Sequence, residues 1–551
     1  MRVVAALIPS DLSTSERAET RTSMAPRVEL EVLEHAELPL DEIGIAITRQ
    51  SAWRAAGISA ESRPRIIAEA VEDRTGKPTH EFAGLAFDSA TNQGWEIRGD
   101  VNYLDSINMV PTAATPLPSQ EELLEAAQIL RADDAFARIA EEGVVIYQPM
   151  PPLADVEQLD GTAIRRITLG IRRPSGGPKH HIVAVDIARR TVDWYPTGVH
   201  SPTDDDCERR LPDPVGSNPN AGGPRRVRVR VIDGSVELWN FQLVRPRDSE
   251  PVTYGKGSGI ELRNVFYRSK LVLYRAHVPI LNVLYDDNVN YRDWQNAETV
   301  FQAVGQDPVG PGWRLCTQPP KTILESGTDA GNFQGVALHY QNGELRIVSE
   351  MMAGWYRYVS DWRMRDDGTI GARFGFAGTR NPRTCMRHQH HVYWRFDFDI
   401  NGAANDALEV QRVVIPTGGG PARLEWHPVV KEAQWKRNPA IRRRYRVVDK
   451  ASGSGYQIRP SSMDGTADNH GVADMWVLRY NGQEIDDGVS IVGGQVPPAQ
   501  TQAQISRFVS GDPVDGQDIV VWYAGHFLHD EHHSDPSQGH IIGPDLVPHR
   551  W

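Results

Sequence analysis

The sequence predicts an α+β protein in which two small α+β domains are followed by a large antiparallel β-sandwich. The chain has 551 residues, enough for about three or four domains. Its 48 glycines and 38 prolines imply many turns, and strand-like runs dominate after Arg225. The net charge of −13 argues against a nucleic-acid partner bound through bulk positive charge.

The N-terminal part of the chain divides into a leader and two small units. A short apolar run followed at once by polar residues predicts a flexible leader. In each unit, apolar residues at helical spacing precede strand-like runs, and Ser119 with Glu122 has the spacing of a helix-initiating capping box. The predicted boundaries are 1–27 for the leader, 28–112 and 113–215 for the small α+β domains, and 225–551 for the β-sandwich.

Side-chain alternation and turn residues mark the strands of the predicted sandwich. Arginine and valine alternate from Arg226 to Val231, which places the valines on one face and predicts a solvated arginine face on the other. Asp366-Asp367-Gly368 separates two strand-like runs and predicts a hairpin turn.

Cysteine usage and hydropathy predict the compartment. Only three cysteines occur, Cys207, Cys316 and Cys385, and they are far apart, which fits a reducing compartment. No stretch approaches the roughly 20 apolar residues that a membrane-spanning helix needs. We therefore expect a cytoplasmic protein with no membrane partner.

Two groups of histidines suggest a metal site. His388 and His390 lie in a run rich in β-formers, so they project from the same strand face about 7 Å apart, while His391 points the other way. Histidines recur after the strand-like run Asp518–Tyr523, at positions 526, 529, 532, 533 and 540. Three imidazoles without cysteine suit copper or zinc, and open positions favour copper(II). The spacing alone leaves the third ligand open, and ordinary surface or core histidines are the alternative.

These residues resemble a known family, the copper-containing amine oxidases that build topaquinone from one of their own tyrosines. The resembling segments are His388-Gln389-His390 with Arg395 and Asp397, Trp522 with Gly525–His529, Met352–Tyr358 with Trp362, and Tyr285 with Trp294-Gln295-Asn296. The two N-terminal units also resemble small domains of this family. The resemblance therefore extends over most of the chain.

The resemblance implies both cofactors and activity. Copper would be held by His388, His390 and His529, and topaquinone would form from Tyr356, with Tyr285 as a hydrogen-bond partner of that ring. The implied reaction converts a primary amine, O2 and water to an aldehyde, ammonia and H2O2. The implied partners are a small amine and O2, and the implied assembly is a homodimer.

The resemblance also implies a second site for a hard cation. Asp397 and Asp518 would supply carboxylates, and Phe398 and Ile519 would supply backbone carbonyls. Oxygen ligands of this kind suit calcium.

Two departures from the family bear on function. The family's Asn-Tyr-Asp/Glu-Tyr motif is replaced by Trp355-Tyr356-Arg357-Tyr358, and the position of its aspartate base holds Thr299. A threonine hydroxyl is a very poor base near pH 7. The amine oxidase reaction is expected to be feeble unless Glu298, Asp293 or another carboxylate takes that role.

Three hypotheses remain open from the sequence. The first is a divergent amine oxidase that forms topaquinone and uses another base. The second is a copper oxidoreductase on the same scaffold that forms no quinone and acts on another substrate, as in specialised metabolism. The third is a catalytically silent binding protein.

Overall fold

The computed structural model describes most of the chain. The described segments are residues 26–33, 37–59, 64–74, 77–150, 152–157, 163–174, 180–194, 220–251, 255–378, 384, 386–418, 420–438, 443–490, 493–494, 496–529 and 540–551. Most of the predicted leader, Cys207, Cys385, His532 and His533 lie outside them. No helix within these segments is long and apolar enough to cross a membrane.

The first small unit packs two helices against a four-stranded antiparallel sheet. Its helices are Leu40–Arg49 and Ser51–Ala55, and its strands, in the order of pairing, are Arg65–Glu72, Pro78–Asp88, Gln93–Asp100 and Asn108–Thr112. Ile43 and Ile47 lie on one helical face and pack with Trp53 against Phe82 and Trp95 of the sheet. The helical and strand-like patterns predicted for this part of the sequence are present.

The second small unit also places helices on a sheet. Its helices are Gln120–Arg131 and Asp134–Ile139; its strands pair in the order Thr191–Asp193, His180–Asp186, Ala163–Arg172 and Val145–Tyr147, and Leu153–Glu157 also pairs with Ala163–Arg172. The capping box is confirmed: the Glu122 amide donates to Ser119 Oγ (3.2 Å), and the Ser119 amide donates to Glu122 Oε2 (2.8 Å).

Two large sheets form the remainder of the described chain. The first sheet pairs Arg27–Val32, Arg226–Asp233, Val236–Val244, Glu261–Tyr267, Lys270–Tyr285, His388–Phe398, Ile519–His529, Met475–Arg479 and Ala433–Trp435, with Asn290–Arg292 and Gly493–Gly494 attached. The second sheet pairs Gly305–Gln306, Trp313–Cys316, Val336–Gln341, Glu344–Ala353, Tyr356–Arg365, Ile370–Gly378, Asp545–His549, Gly455–Arg459, Tyr445–Asp449, Asp406–Val414 and Arg423–Pro428, with Ile541–Ile542 attached. Smaller elements are the pair Val300–Phe301 and Phe333–Gln334, the helix Ile323–Ser326, and 3₁₀ turns at Leu104–Ser106, Pro246–Asp248, Pro498–Gln500 and Ile505–Phe508.

The two sheets enclose the main hydrophobic core, which confirms the predicted sandwich. Leu281 and Val392 of the first sheet share this core with Ile347, Trp362 and Phe374 of the second. Neighbouring strands are antiparallel, apart from the parallel pair Trp313–Cys316 and Val336–Gln341. The described strands thus form a large, mainly antiparallel β-sandwich preceded by two α+β units.

The alternating arginine–valine run forms the strand next to the edge of the first sheet. The valines of the strand Arg226–Asp233 are fully buried, as predicted, and its partner at the edge is Arg27–Val32. The prediction of a solvated arginine face is wrong at Arg226, which is buried and forms an ion pair with Glu72. The first small unit covers this end of the arginine face, a contact that strand alternation cannot reveal.

One end of the sandwich aligns the polar side chains predicted to act together. Tyr285 lies opposite His388, and His388 lies opposite His529, on three adjacent strands of the first sheet. Tyr356 begins the strand Tyr356–Arg365 of the second sheet and shares the enclosed core with Tyr285. The register of both sheets therefore positions the site.

Candidate functional site

Three histidines converge at this end of the sandwich. Because side chains alternate along a strand, His390 shares the inward face with His388. Nε2 of His388 lies 3.1 Å from Nε2 of His390 and 3.0 Å from Nδ1 of His529. All three side chains are buried, and their ligand atoms lie within 4.8 Å of one another. Three nitrogen donors are thus directed at one point.

The phenol of Tyr356 lies beside this histidine cluster. Its hydroxyl is 2.7 Å from Nε2 of His388 and 2.8 Å from the hydroxyl of Tyr285. Its ring is perpendicular to that of His390, with centroids 5.1 Å apart. Tyr356 and Tyr285 are both buried. The structure therefore brings together the predicted precursor ring, its predicted hydrogen-bond partner and the predicted metal ligands.

A tight hairpin sets the position of Tyr356. Ala353 pairs with Tyr356 across a two-residue turn, in which Gly354 has a φ of +57°. A Cβ at Gly354 would lie 2.3 Å from Cγ of Met150, so the second small unit packs directly on the turn. Glycine is required here by both backbone conformation and space.

Asp293 lies one aromatic ring away from Tyr356. The hydroxyl of Tyr358 donates a hydrogen bond to Asp293 Oδ2, and the rings of Tyr358 and Tyr356 stack with centroids 5.6 Å apart. Asp293 Oδ1 is buried and has no hydrogen-bond partner among the described residues. Burial raises the pKa of Asp293 to about 7, although Tyr358 and Arg292 act in the opposite direction. This carboxylate can accept a proton near neutral pH.

The structure gives Thr299 and Glu298 other surroundings. The backbone of Thr299 pairs with Glu350, so alternation directs its side chain to the face of the second sheet opposite Tyr356. The carboxylate of Glu298 accepts two hydrogen bonds from Arg245, one of them 3.0 Å long, in a fully buried ion pair. The carboxylate of Glu298 is thus paired with Arg245, and the side chain of Thr299 points away from Tyr356.

The two unusual neighbours of Tyr356 are both buried. Arg357 forms two hydrogen bonds with Asp329 (2.6 and 2.7 Å) and donates to the carbonyl oxygens of Gly354 (3.2 Å) and Tyr356 (2.9 Å). The indole of Trp355 meets the ring of Tyr291 edge-on at 6.1 Å. Arg357 thus holds the backbone of the hairpin in place.

Other histidines surround the cluster. Nε2 of His540 lies 3.0 Å from Nε2 of His529, on the side away from the converging nitrogens. On the opposite face of the first sheet, Nδ1 of His391 lies 2.7 Å from Nδ1 of His526. Burial, followed by the neighbouring imidazoles, lowers the pKa of His391 well below its usual value. His391 and His526 thus contact each other outside the main core, as the alternation predicts.

The carboxylates predicted to bind calcium are bound to an arginine. Nη1 of Arg74 lies 2.9 Å from both carboxylate oxygens of Asp399, and Nη2 forms an ion pair with Asp518. Asp397 lies 3.8 Å from Nη1 of Arg74 and 3.3 Å from Nη1 of Arg395. Asp397, Asp399 and Asp518 lie close enough together to hold a metal ion, and the guanidinium of Arg74 contacts the same carboxylates, so calcium binding stays a prediction.

Phe398 and Ile519, whose role as carbonyl ligands stays a prediction, lie next to these carboxylates in the sequence. Phe398 and Ile519 are opposite each other on adjacent strands, and both side chains are buried. The sequence analysis missed Asp399 and Arg74. The spacing of Asp397 and Asp399 was a usable signal, since residues two apart on a strand share a face. Arg74 had no local signal, because it comes from a remote loop.

The chemistry of the histidine cluster fits copper. Three imidazole nitrogens without a thiolate are a donor set that copper(II) accepts, with further positions left for solvent or substrate. Metal–nitrogen bonds of about 2.0–2.1 Å require nitrogen atoms roughly 3.3 Å apart in a tetrahedral arrangement, close to the spacings measured here. His388, His390 and His529 can therefore hold a metal ion with little rearrangement.

Known proteins share this architecture. Residues 330–536 match the family model "Copper amine oxidase, enzyme domain". Similar solved structures are a copper-containing benzylamine oxidase from Hansenula polymorpha (14% identity, 93% of this chain and 97% of that chain, TM-score 0.61), an Aspergillus nidulans amine oxidase (13%, 93% and 88%, 0.51) and Pichia pastoris lysyl oxidase (13%, 89% and 85%, 0.50). At these identities the structures show a shared fold.

The family model includes the site at the end of the sandwich. Its range contains Tyr356, His388, His390 and His529. No curated protein sequence matches the chain. The matched domain and the shared fold nevertheless agree with the resemblance of the sequence motifs, and they favour an enzyme over a silent binding protein. Residues 330–536 therefore match the enzyme domain of copper amine oxidases, and the chain over most of its length has the fold of these oxidoreductases.

Proposed function

We propose that this protein oxidises a primary amine, with copper held by His388, His390 and His529 and a quinone formed from Tyr356. The observation that carries the proposal is the buried phenol of Tyr356, whose hydroxyl is 2.7 Å from Nε2 of His388. A tyrosine placed beside three copper ligands is positioned for oxidation of its ring when copper and O2 are present. The family's Asn-Tyr-Asp/Glu-Tyr motif is therefore dispensable for placing the ring.

The residues of the chain hold the reactants and move the proton. When bound, copper and the quinone supply the redox chemistry by which amine, O2 and water become aldehyde, ammonia and H2O2. Tyr285 orients the ring of Tyr356 through its hydroxyl, 2.8 Å away. We assign proton abstraction from the substrate carbon to Asp293, because its Oδ1 is buried without a partner among the described residues.

The experiment is copper loading of the purified apoprotein in air, followed by visible spectroscopy and quinone staining. The wild-type protein should develop a visible absorption band and stain for a redox-cycling quinone. Tyr356→Phe should bind copper but remain colourless. Tyr456→Phe is the matched control, since the hydroxyl of this buried tyrosine donates to the carbonyl oxygen of Gly368, beyond the other end of the strand that Tyr356 begins, and it should behave like the wild type. A colourless wild-type protein that oxidises amines would refute quinone formation.

A second candidate is a copper oxidoreductase that keeps Tyr356 unmodified. The specific observation in its favour is Arg357, whose hydrogen bonds to Gly354, Tyr356 and Asp329 hold the hairpin backbone. A fixed tyrosine beside the metal suits chemistry that does not require the ring to turn between copper and substrate. A copper-loaded enzyme that is active without quinone staining would favour this candidate.

The assembly and compartment are also proposed. The family resemblance supports a homodimer, and the three sparse cysteines support a cytoplasmic location.

A further inference from the structure

A loop of the first small unit reaches into the sandwich. The strands Arg65–Glu72 and Pro78–Asp88 form a hairpin, and Arg74 lies in the connection between them. Its guanidinium lies among Asp399, Asp518 and Asp397, which are far away in sequence. These three carboxylates are close enough together to hold a metal ion.

Adjacent contacts fix the start of this loop. Glu72 forms ion pairs with Arg226 and Arg263 of the first sheet. The hydroxyl of Tyr274 donates to the carbonyl oxygen of Asp73 at 3.2 Å. Three consecutive residues, 72 to 74, thus contact the sandwich, so the position of Arg74 is set by its neighbours as well as by its own charge.

The surroundings of Arg74 suit a guanidinium in shape as well as charge. Nη1 is 2.9 Å from each oxygen of Asp399, which is the distance of charge-assisted hydrogen bonds. The guanidinium carbon lies 3.7 Å from the ring centroid of Tyr480 and 4.9 Å from that of Tyr274. A planar cation gains from these aromatic faces, whereas a calcium ion requires oxygen ligands.

Calcium and Arg74 cannot share these carboxylates. Calcium takes six to eight oxygen ligands at about 2.3–2.6 Å, and Nη1 of Arg74 contacts both oxygens of Asp399. Arg74 and Arg395 supply two positive charges to three carboxylates, so the removal of Arg74 would leave a strongly acidic, partly buried group.

We propose that Arg74 is the resident cation of this site, where it takes the place of a divalent metal ion and ties the first small unit to the sandwich. Two consequences follow. The wild-type protein should not need calcium for stability. A variant without the guanidinium should acquire a calcium site, because the three carboxylates lie together where the strands His388–Phe398 and Ile519–His529 pair at their ends.

The experiment compares full-length, copper-loaded wild type with Arg74→Ala. Each protein is equilibrated with EGTA or with 1 mM CaCl2, a concentration of about the dissociation constant of weak protein calcium sites. Bound calcium is then measured by metal analysis after desalting. The Tm of each protein is measured by calorimetry in both solutions. Arg189→Ala is the matched control, because its arginine also pairs with an aspartate but is 61% exposed. Arg74→Ala/Asp399→Asn tests whether any acquired calcium depends on the proposed carboxylates.

The expected result is specific to Arg74→Ala. Wild type and Arg189→Ala should retain no calcium and show the same Tm in both solutions. Arg74→Ala should have a Tm lowered by several degrees in EGTA, bind about one calcium per chain and regain Tm with CaCl2. The double variant should lose this response. Calcium retained by the wild type would overturn the proposal, even if Arg74→Ala did not fold, and so would a folded Arg74→Ala that gained no calcium.

Discussion

Replacing Asp293 with asparagine tests which group takes the proton from the substrate. The amide keeps the shape of the carboxylate and can still accept the hydrogen bond of Tyr358, so the fold should be preserved. What it loses is basicity at the buried Oδ1 atom. Loss of a positioned base typically lowers the rate by about 10²–10⁴-fold. We therefore expect kcat/KM to fall by that factor, which corresponds to about 3–5 kcal/mol of activation free energy.

The pH dependence of this loss follows from the raised pKa of Asp293. Burial raises that pKa to about 7, and the base must be ionised to act. The ionised fraction is then about one tenth at pH 6 and about nine tenths at pH 8. The ratio of wild-type to Asp293→Asn kcat/KM should therefore increase about tenfold between these pH values. Ionisation of the amine substrate cancels in this ratio, because both enzymes receive the same substrate.

The assay is release of H2O2 from a primary amine that the wild type oxidises, normalised to the quinone content of each preparation. Normalisation separates a fault in catalysis from a fault in cofactor formation. Thr299→Val is the matched control, because Thr299 is buried but directs its side chain to the face of the second sheet opposite Tyr356, and it should retain wild-type kcat/KM. The assignment of Asp293 is refuted by a wild-type rate in Asp293→Asn, or by an equal loss in Thr299→Val.

Two further predictions concern residues around the reacting centre. His540→Ala removes the imidazole that lies 3.0 Å from Nε2 of His529. Because such partners orient the histidines that bind a metal, copper affinity should fall by about 10–100-fold in a competitive chelator titration. Unchanged copper affinity would contradict this role of His540. Glu298→Gln leaves the buried Arg245 without its anion, so the free energy of unfolding measured in urea should fall by about 3–5 kcal/mol. The kcat/KM of the folded enzyme should stay near that of the wild type. A large loss of kcat/KM at unchanged stability would instead make Glu298 a catalytic candidate.

The sequence was most informative where chemistry and strand alternation coincide. The two-residue spacing of His388 and His390 predicted a shared face, and the structure places both side chains inward. His529 could be named only through the family resemblance, because spacing says nothing about which remote strand is adjacent. The strand register in the structure shows which strand is adjacent, since His388 and His529 are directly opposite each other.

The sequence was least informative where a contact joins separate units. Arg226 belongs to an alternating strand that predicts solvent exposure, yet Glu72 from the first small unit pairs with it. Arg74 lies in a short loop whose local sequence gives no sign that three aspartates surround it. Both contacts depend on how the first small unit packs against the sandwich, and periodicity within either segment does not encode that packing.

The proposed base, Asp293, and the proposed resident cation, Arg74, have a common physical explanation. Residues such as His388 and Tyr356 point into the enclosed core from paired strands, where another position could not supply the same atoms. A base or a counter-cation is less restricted, because a charge can reach the same point from another strand or loop. Asp293 would in this way provide the carboxylate that a threonine at position 299 lacks. Arg74 would provide the positive charge that a metal ion would otherwise supply. The two proposals together describe a chain that keeps the ligand geometry of copper amine oxidases and obtains the accompanying charges from other positions.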